Sequence, residues 1–241
     1  MAPAVTIHLR PTTALAERAL LTEDPGAAMA LAQALLERPL MFNHSFGLWG
    51  YTGTAPDGRP LTVQSTGLGG ASAAIVLEEL IALGLSRAVR VGTCAALDGG
   101  LGPGELIIAG SAIAADGTSR ALGATAVVDG DPGLTAALRS GDPGIRHGRV
   151  ASIDLFYSPD GGPGRAAGDG EGDGGWRDLG ALALDLETAA LFAVGGRRGV
   201  PVACVLAVTD RPGRPGRIPD EDLARALQRA GRVALAPLAP A

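Results

Sequence analysis

Asp185 and Glu187 stand two residues apart inside an otherwise apolar run, and a second apolar run over 202–208 ends on Thr209-Asp210. Acids in such surroundings need a reason, because burying a carboxylate costs free energy that a structural or chemical task must offset. A carboxylate can exchange a proton or accept a pair of hydroxyl donors. Arg90 is the matching anomaly, a charge that interrupts the short strand pattern over 88–92. The histidines, His8, His44 and His147, are scattered without metal-ligand spacing, and His147 reads as part of a polar loop. No metal is expected. Neither Ser nor Cys falls in a nucleophile-elbow pattern, which leaves the carboxylates and Arg90 as the chemistry.

The elements around these residues must bring them to one place. A strand over 201–208 is too apolar to be anything but buried, so Asp210 emerges at its carboxyl end, the edge where an α/β sheet carries its ligands. Glu187 opens an apolar helix-like segment, and the strand before it delivers it to the same edge. Leu61-Thr62-Val63-Gln64-Ser65 reads as a strand, Thr66-Gly67-Leu68-Gly69-Gly70 as a turn, and 71–83 as a helix. Further strands are expected over 106–109 and 148–153, and helices over 133–139, 187–197 and 220–235. Thr93-Cys94-Ala95-Ala96-Leu97 follows the strand over 88–92, and a Gly-rich turn comes next, over 98–104. Such alternation predicts an α/β protein with a central mixed β-sheet flanked by helices. The Gly67 to Gly70 turn is either a tight structural turn or a place where backbone N–H groups approach an anion; it matches neither the dinucleotide fingerprint nor the P-loop.

At 241 residues the chain suits one domain, 1–241, and the Gly- and Asp-rich segment over 160–175 is expected to be a mobile loop. Aromatic residues make up only 3%, so aliphatic side chains must fill the core. The net charge of −5 supplies no basic field for nucleic acid. Every one of the 20 cationic residues is Arg, which reads as a coding bias. Cys94, near a loop, and Cys204, within a strand, are expected to be buried free thiols. The segment over 1–10 has no basic start followed by an apolar core, and no stretch is long and apolar enough to span a membrane, so a cytoplasmic protein is expected.

Four motifs, Arg90-Val91-Gly92-Thr93-Cys94-Ala95, the stretch Ser152-Ile153-Asp154-Leu155-Phe156-Tyr157, Asp185-Leu186-Glu187-Thr188-Ala189-Ala190 and Val208-Thr209-Asp210, resemble in order and spacing those of the trimer-forming or hexamer-forming nucleoside phosphorylases. Thr6-Ile7-His8, Glu23-Asp24-Pro25 and the segment from Asn43 to Gly53 extend the resemblance over nearly the whole chain. It implies that family's fold and cleavage of the N-glycosidic bond of a nucleoside, without a cofactor. It also implies a homo-oligomer with shared sites. Phe156 would stack on the base; Glu187, with Asp185 and Leu186 beside it, would accept the ribose hydroxyls. Asp210 would protonate the purine. Thr93 would contact the nucleoside and, with Arg90, phosphate; His8 would reach a neighbouring subunit's site. Asp210, together with Asp160-Gly161-Gly162 beyond Phe156, favours a purine over uridine.

The departures bear on the acceptor. The family's loop before the first helix reads Gly-Asp-Pro followed by an Arg, and a second Arg comes from the neighbour; here Glu23 and Ala27 occupy the first two positions and Phe46 the third. Two guanidiniums are lost and a carboxylate gained, so a phosphate there would meet a like charge at a cost of several kcal/mol. Sister nucleosidases of the superfamily use water, with a Glu from the same loop, and Glu23 lies near that place with an offset of several residues. A nucleoside-binding protein without turnover is the third reading. Read singly, Asp210 could be a helix cap, Glu187 a buried partner of Arg90, Phe156 a core residue, Glu23 a surface residue and His8 part of a frayed terminus.

Overall fold

The computed structural model describes residues 6–157, 174–211 and 216–238. The chain begins with β1 (Arg18–Thr22), α1 (Pro25–Leu35), β2 (Glu37–Asn43), a 3-10 turn (Ser45–Gly47), β3 (Gly50–Thr54) and β4 (Pro60–Ser65). It continues through α2 (Gly69–Ala82), β5 (Arg87–Ala96), β6 (Leu106–Ala114), α3 (Gly117–Ala121), β7 (Val127–Asp129), α4 (Pro132–Gly141) and β8 (Arg146–Ser152). After it come α5 (Gly174–Asp178), β9 (Ala181–Asp185), α6 (Thr188–Arg198), β10 (Val202–Asp210) and α7 (Asp220–Leu238).

Among the described residues ten strands join one mixed sheet, in the order β10-β6-β8-β9-β5-β1-β4-β3-β2 with β7 against β6. A further pairing of β10 with β5 closes five of the strands into a ring. β5 is therefore the hub. Its first half lies parallel to β1, with Leu21 opposite Arg90, and parallel to β10 along its other edge. Only at Ala95 and Ala96 does β9 join it, antiparallel, opposite Leu184 and Ala183. Between Arg90 and Ala95 one edge of β5 has no strand beside it, and β1 and β9 point their carboxyl ends at that gap from opposite directions. This is the crevice that strand divergence creates in an α/β sheet.

The pleat of β5 explains the layers. Ala88 faces α2 and α6, packing with Val76, Leu77, Leu80, Leu191 and Val194, while Val89 faces α1 and α7, with Leu31, Leu35, Leu227 and Ala230. Each such fully buried aliphatic side chain contributes roughly 1.5–3 kcal/mol. Arg90 follows on the α2 and α6 side, opposite Cys204. Asp24 caps α1 by accepting the Ala27 N–H at 2.7 Å, and Pro25 at the first turn needs no N–H partner.

The expected strands and helices are present, most of them longer, with α6 shifted by one residue and β8 ending at Ser152. The strand expected over 88–92 continues through Thr93-Cys94-Ala95 to Ala96, held by β10 on one side and β9 at its end. His147 likewise lies in β8, opposite Ile108, because β6 pairs along the whole polar start of that strand. The Asp160–Gly175 segment falls outside the described residues except for its last two, which open α5. Among the described residues no helix is long and apolar enough to cross a membrane.

Candidate active site

Arg90 is 1% exposed and makes the centre of the crevice. Its side chain folds back over Gly92, where a Cβ would come within 2.5 Å of the guanidinium carbon, so no larger residue fits there without moving it. One guanidinium nitrogen donates to Asp185 Oδ2 at 2.9 Å; the other reaches Glu187 Oε2 at 2.5 Å and Glu23 Oε2 at 3.4 Å. Arg90 Nε has no partner among the described residues.

Each carboxylate arrives from a different element. Asp185 ends β9, and its other oxygen accepts from the Ser152 hydroxyl at the end of β8, at 2.5 Å; the Thr188 N–H adds a bond of 2.9 Å to Oδ2. Its side chain is 0% exposed. Asp185, expected among the nucleoside contacts, is among the residues that line the cavity in front of Arg90, while its carboxylate holds Arg90, the Ser152 hydroxyl and the Thr188 N–H. Glu187 precedes α6, and its Oε1 accepts the Gly69 N–H at 2.7 Å, capping α2, where Leu68 offers no side-chain bond. Glu23 follows β1, and its Oε1 accepts from the Thr93 hydroxyl at 2.6 Å.

Three carboxylates around one guanidinium leave a surplus of negative charge in a dry place. For Arg90, burial opposes the charged form, but Glu187, Asp185 and Glu23 outweigh it and raise its pKa well above the ordinary value. Glu187 is pushed up to about 7, by burial first, with Arg90 pulling it down, Glu23 and Asp185 pushing it up and the Gly69 N–H pulling it down. Burial also raises the thiols of Cys94 and Cys204, which are free and stay protonated at neutral pH.

A cavity of about 380 Å³ opens in front of this cluster, a size that suits a small organic molecule. Glu23, Thr93, Asp185, Leu186 and Glu187 line it, together with Thr209 and Asp210, half-buried at the end of β10, the Thr209 hydroxyl donating to the Asp210 carboxylate. Phe156 stands at the mouth, 41% exposed, with its ring edge-on to Tyr157 at 4.9 Å. Arg217 also lines the cavity, a residue that the sequence offers only as one charge in a stretch rich in Pro, Gly and Arg. Leu68, 74% exposed, completes the rim.

His8 lies elsewhere. Its Nδ1 is 2.7 Å from Glu79 on the outer side of α2, and its ring packs on Phe46 at 5.1 Å. Glu79 also takes the backbone N–H groups of Ile7, His8 and Leu9, which fastens this arm. The Gly67 to Gly70 turn offers no free anion seat at Gly69, because Glu187 already occupies that N–H. Among the described residues no group of His, Cys, Asp and Glu is arranged to hold a metal ion. A larger cavity, about 710 Å³, lies at the opposite end of the sheet beside Arg18 and Arg87. Its Arg18 is committed to Asp57 at 2.6 Å, and the carboxylate cluster lies at the other end, which makes the smaller cavity the candidate site.

Residues 17–239 match the family model of the phosphorylase superfamily. The chain is 32% identical over 216 residues to a purine nucleoside phosphorylase of the DeoD type from Clostridium beijerinckii, covering 86% of each chain. It is 31% identical over 198 residues to a guanosine phosphorylase from Halorubrum lacusprofundi, covering 80% of this chain and 77% of that protein. In fold it resembles the crystal structure of uridine phosphorylase from Vibrio fischeri ES114, with a TM-score of 0.79 at 23% identity over 93% of this chain and 91% of the other.

Proposed function

The chain belongs to the phosphorylase superfamily, the family of the nucleoside phosphorylases, and from that premise we propose that it cleaves the N-glycosidic bond of a purine-type nucleoside. The observation that carries this reading is that Asp210, Glu187 and Phe156 line one cavity. Phe156 presents an aromatic face on which a base can stack. Glu187 keeps acceptor capacity beyond Arg90 and Gly69, since two carboxylate oxygens offer about four lone-pair sites, enough for the two hydroxyls of a ribose.

Bond cleavage then follows from charge. As the bond between C1′ and the base nitrogen lengthens, the sugar becomes cationic and the base anionic. Asp210 protonates the base as an acid, which removes the negative charge and makes the base a better leaving group. The surplus of carboxylates around Arg90 favours the cationic sugar in a partly dry site. Thr93 contacts the sugar side of the cavity, and Asp185 positions Arg90, which in turn positions Glu187. His8 and Phe46, packed together away from this cavity, are proposed to complete the site of a neighbouring copy in a cytoplasmic homo-oligomer.

The test is direct. The purified protein is incubated with adenosine, guanosine, inosine and uridine, each with and without inorganic phosphate, and free base is measured by chromatography. Release of a purine base is expected. No release from any nucleoside would leave a binding protein, and release of uracil alone would overturn the purine assignment.

A further inference from the structure

The larger cavity, at the far end of the sheet, gathers charges that the chain leaves without partners. Arg18 and Arg87 are register partners on β1 and β5, strands that lie about 4.8 Å apart, so their side chains leave the same face, and both line this cavity. Like charges placed side by side repel. Asp57 answers only Arg18, with both carboxylate oxygens, each at 2.6 Å. Arg87 has no ion pair among the described residues, and neither have Arg59 and Arg38, which line the same cavity.

Arg38 reaches the cavity through an irregular strand. Between Glu37 and Leu40 β2 advances one residue more than β3 does between Thr54 and Thr52, so β2 carries a bulge. A regular pleat would send Glu37 and Arg38 to opposite faces; here Glu37, Arg38 and Leu40 all line one cavity. The cost is local strain. Arg38 has a φ of 49°, a left-handed conformation that a Cβ disfavours and that the following Pro39 narrows further. Gly53 admits the bulge, because a Cβ there would lie 2.8 Å from the Glu37 carbonyl oxygen and 3.2 Å from Pro39 Cα. Strain that the surroundings hold in place points to a task for the side chain it aims. The acids of the lining, Glu17 and Glu37, also have no ion pair among the described residues.

We propose that this cavity binds a small phosphate monoester of a polyol, its phosphate held among Arg38, Arg59 and Arg87 and its hydroxyls by Glu17 and Glu37. A guanidinium can give two parallel bonds to phosphate oxygens, and a carboxylate accepts the hydroxyl donors of a diol. A simple anion would leave the two acids beside it unanswered, and an uncharged polyol would leave the arginines so. The volume of about 710 Å³ admits a sugar phosphate or a nucleotide, whose carbon skeleton would lie against Leu15, Leu40 and Leu238. No covalent bond is made or broken there. The site is separate from the glycosidic cavity and stands whether or not the chain cleaves a nucleoside.

Calorimetry on the intact protein tests this, with ribose 5-phosphate, adenosine 5′-monophosphate, inorganic phosphate and ribose as probes. Saturable binding of at least one ester is expected, roughly tenfold or more tighter than inorganic phosphate, with none of ribose. The tighter ester tells a sugar phosphate from a nucleotide. Hydrogen exchange read by mass spectrometry locates the ligand, and protection is expected over β2 and the start of β5. Arg87→Ala should weaken the ester by roughly tenfold or more, and so should Arg38→Gly, which keeps the fold because glycine accepts the left-handed φ. Absence of binding, equal affinity for inorganic phosphate, binding of ribose, or protection confined to the ends of β9 and α6 would overturn the proposal. Undiminished affinity in the folded Arg38→Gly would overturn it as well.

Discussion

Glu187 holds Arg90 at 2.5 Å with one oxygen and caps α2 with the other, so a single carboxylate joins the hub strand, the start of α2 and the start of α6. A sugar hydroxyl that engages Glu187 therefore touches the group that also fixes the crevice. On the proposed sugar contact, binding and local stability are linked at this residue, and the consequences can be measured.

Replacing Glu187 by Gln should weaken nucleoside binding by about 2–4 kcal/mol, the worth of a buried charge-assisted contact. Calorimetry on the folded variant checks this. Affinity equal to that of the wild type would remove Glu187 from the sugar site.

Glu187 also predicts a pH dependence. Its folded pKa of about 7 lies above the ordinary 4.5, so between those values the folded state keeps a proton that the unfolded chain gives up. Stability contributed by the protonated form is present below about pH 4.5 and is lost as pH rises to about 7, on the order of 3 kcal/mol in all. Urea denaturation at pH 5 and pH 7.5 should show this fall in the wild type and a smaller one in Glu187→Gln. Nucleoside affinity should move the other way, rising as Glu187 ionises; equal pH profiles for both proteins would refute the assignment.

Asp210→Asn keeps the shape and a hydrogen bond but has no acidic proton to deliver. Turnover of ordinary purine nucleosides should drop by about a hundredfold or more, and substrates whose base already leaves easily should be affected less. Steady-state rates on both kinds of substrate decide it, and an equal loss on both would argue against proton donation.

Arg90→Met removes the only cation that touches Asp185, Glu187 and Glu23 among the described residues. Leaving buried carboxylates without their partner should destabilise the fold by about 3–5 kcal/mol, read from the shift of the urea midpoint. Gly92→Ala should do part of the same damage, since its methyl would press on the guanidinium. A neutral Gly92→Ala would show that Arg90 can move aside.

Much of this site was legible because its residues violate their surroundings. Arg90, Glu187 and Asp210 stand out against apolar runs, and the pattern of those runs sends them to one sheet edge. Other parts carry weaker marks. β2 and β3 form an antiparallel edge pair in which Leu40 and Met41 are both exposed, so no alternation announces them. Thr93-Cys94-Ala95 looks like a turn by composition, and only the long pairing with β10 makes it strand. The commitment of the Gly69 N–H to Glu187 is a contact across 118 positions of sequence, which no local pattern can express. Asp185 was visible as an anomaly, but its full set of partners appears only when β8 and α6 are packed around it.

The two donors held by Glu23 impose an order on single substitutions around Arg90. An Arg introduced at position 27 while Glu23 remains would gain a carboxylate neighbour, and the Thr93 hydroxyl and one arm of Arg90 would stay occupied. Removal of Glu23 is the step that frees them, so the effects of changes at positions 23 and 27 should be strongly non-additive.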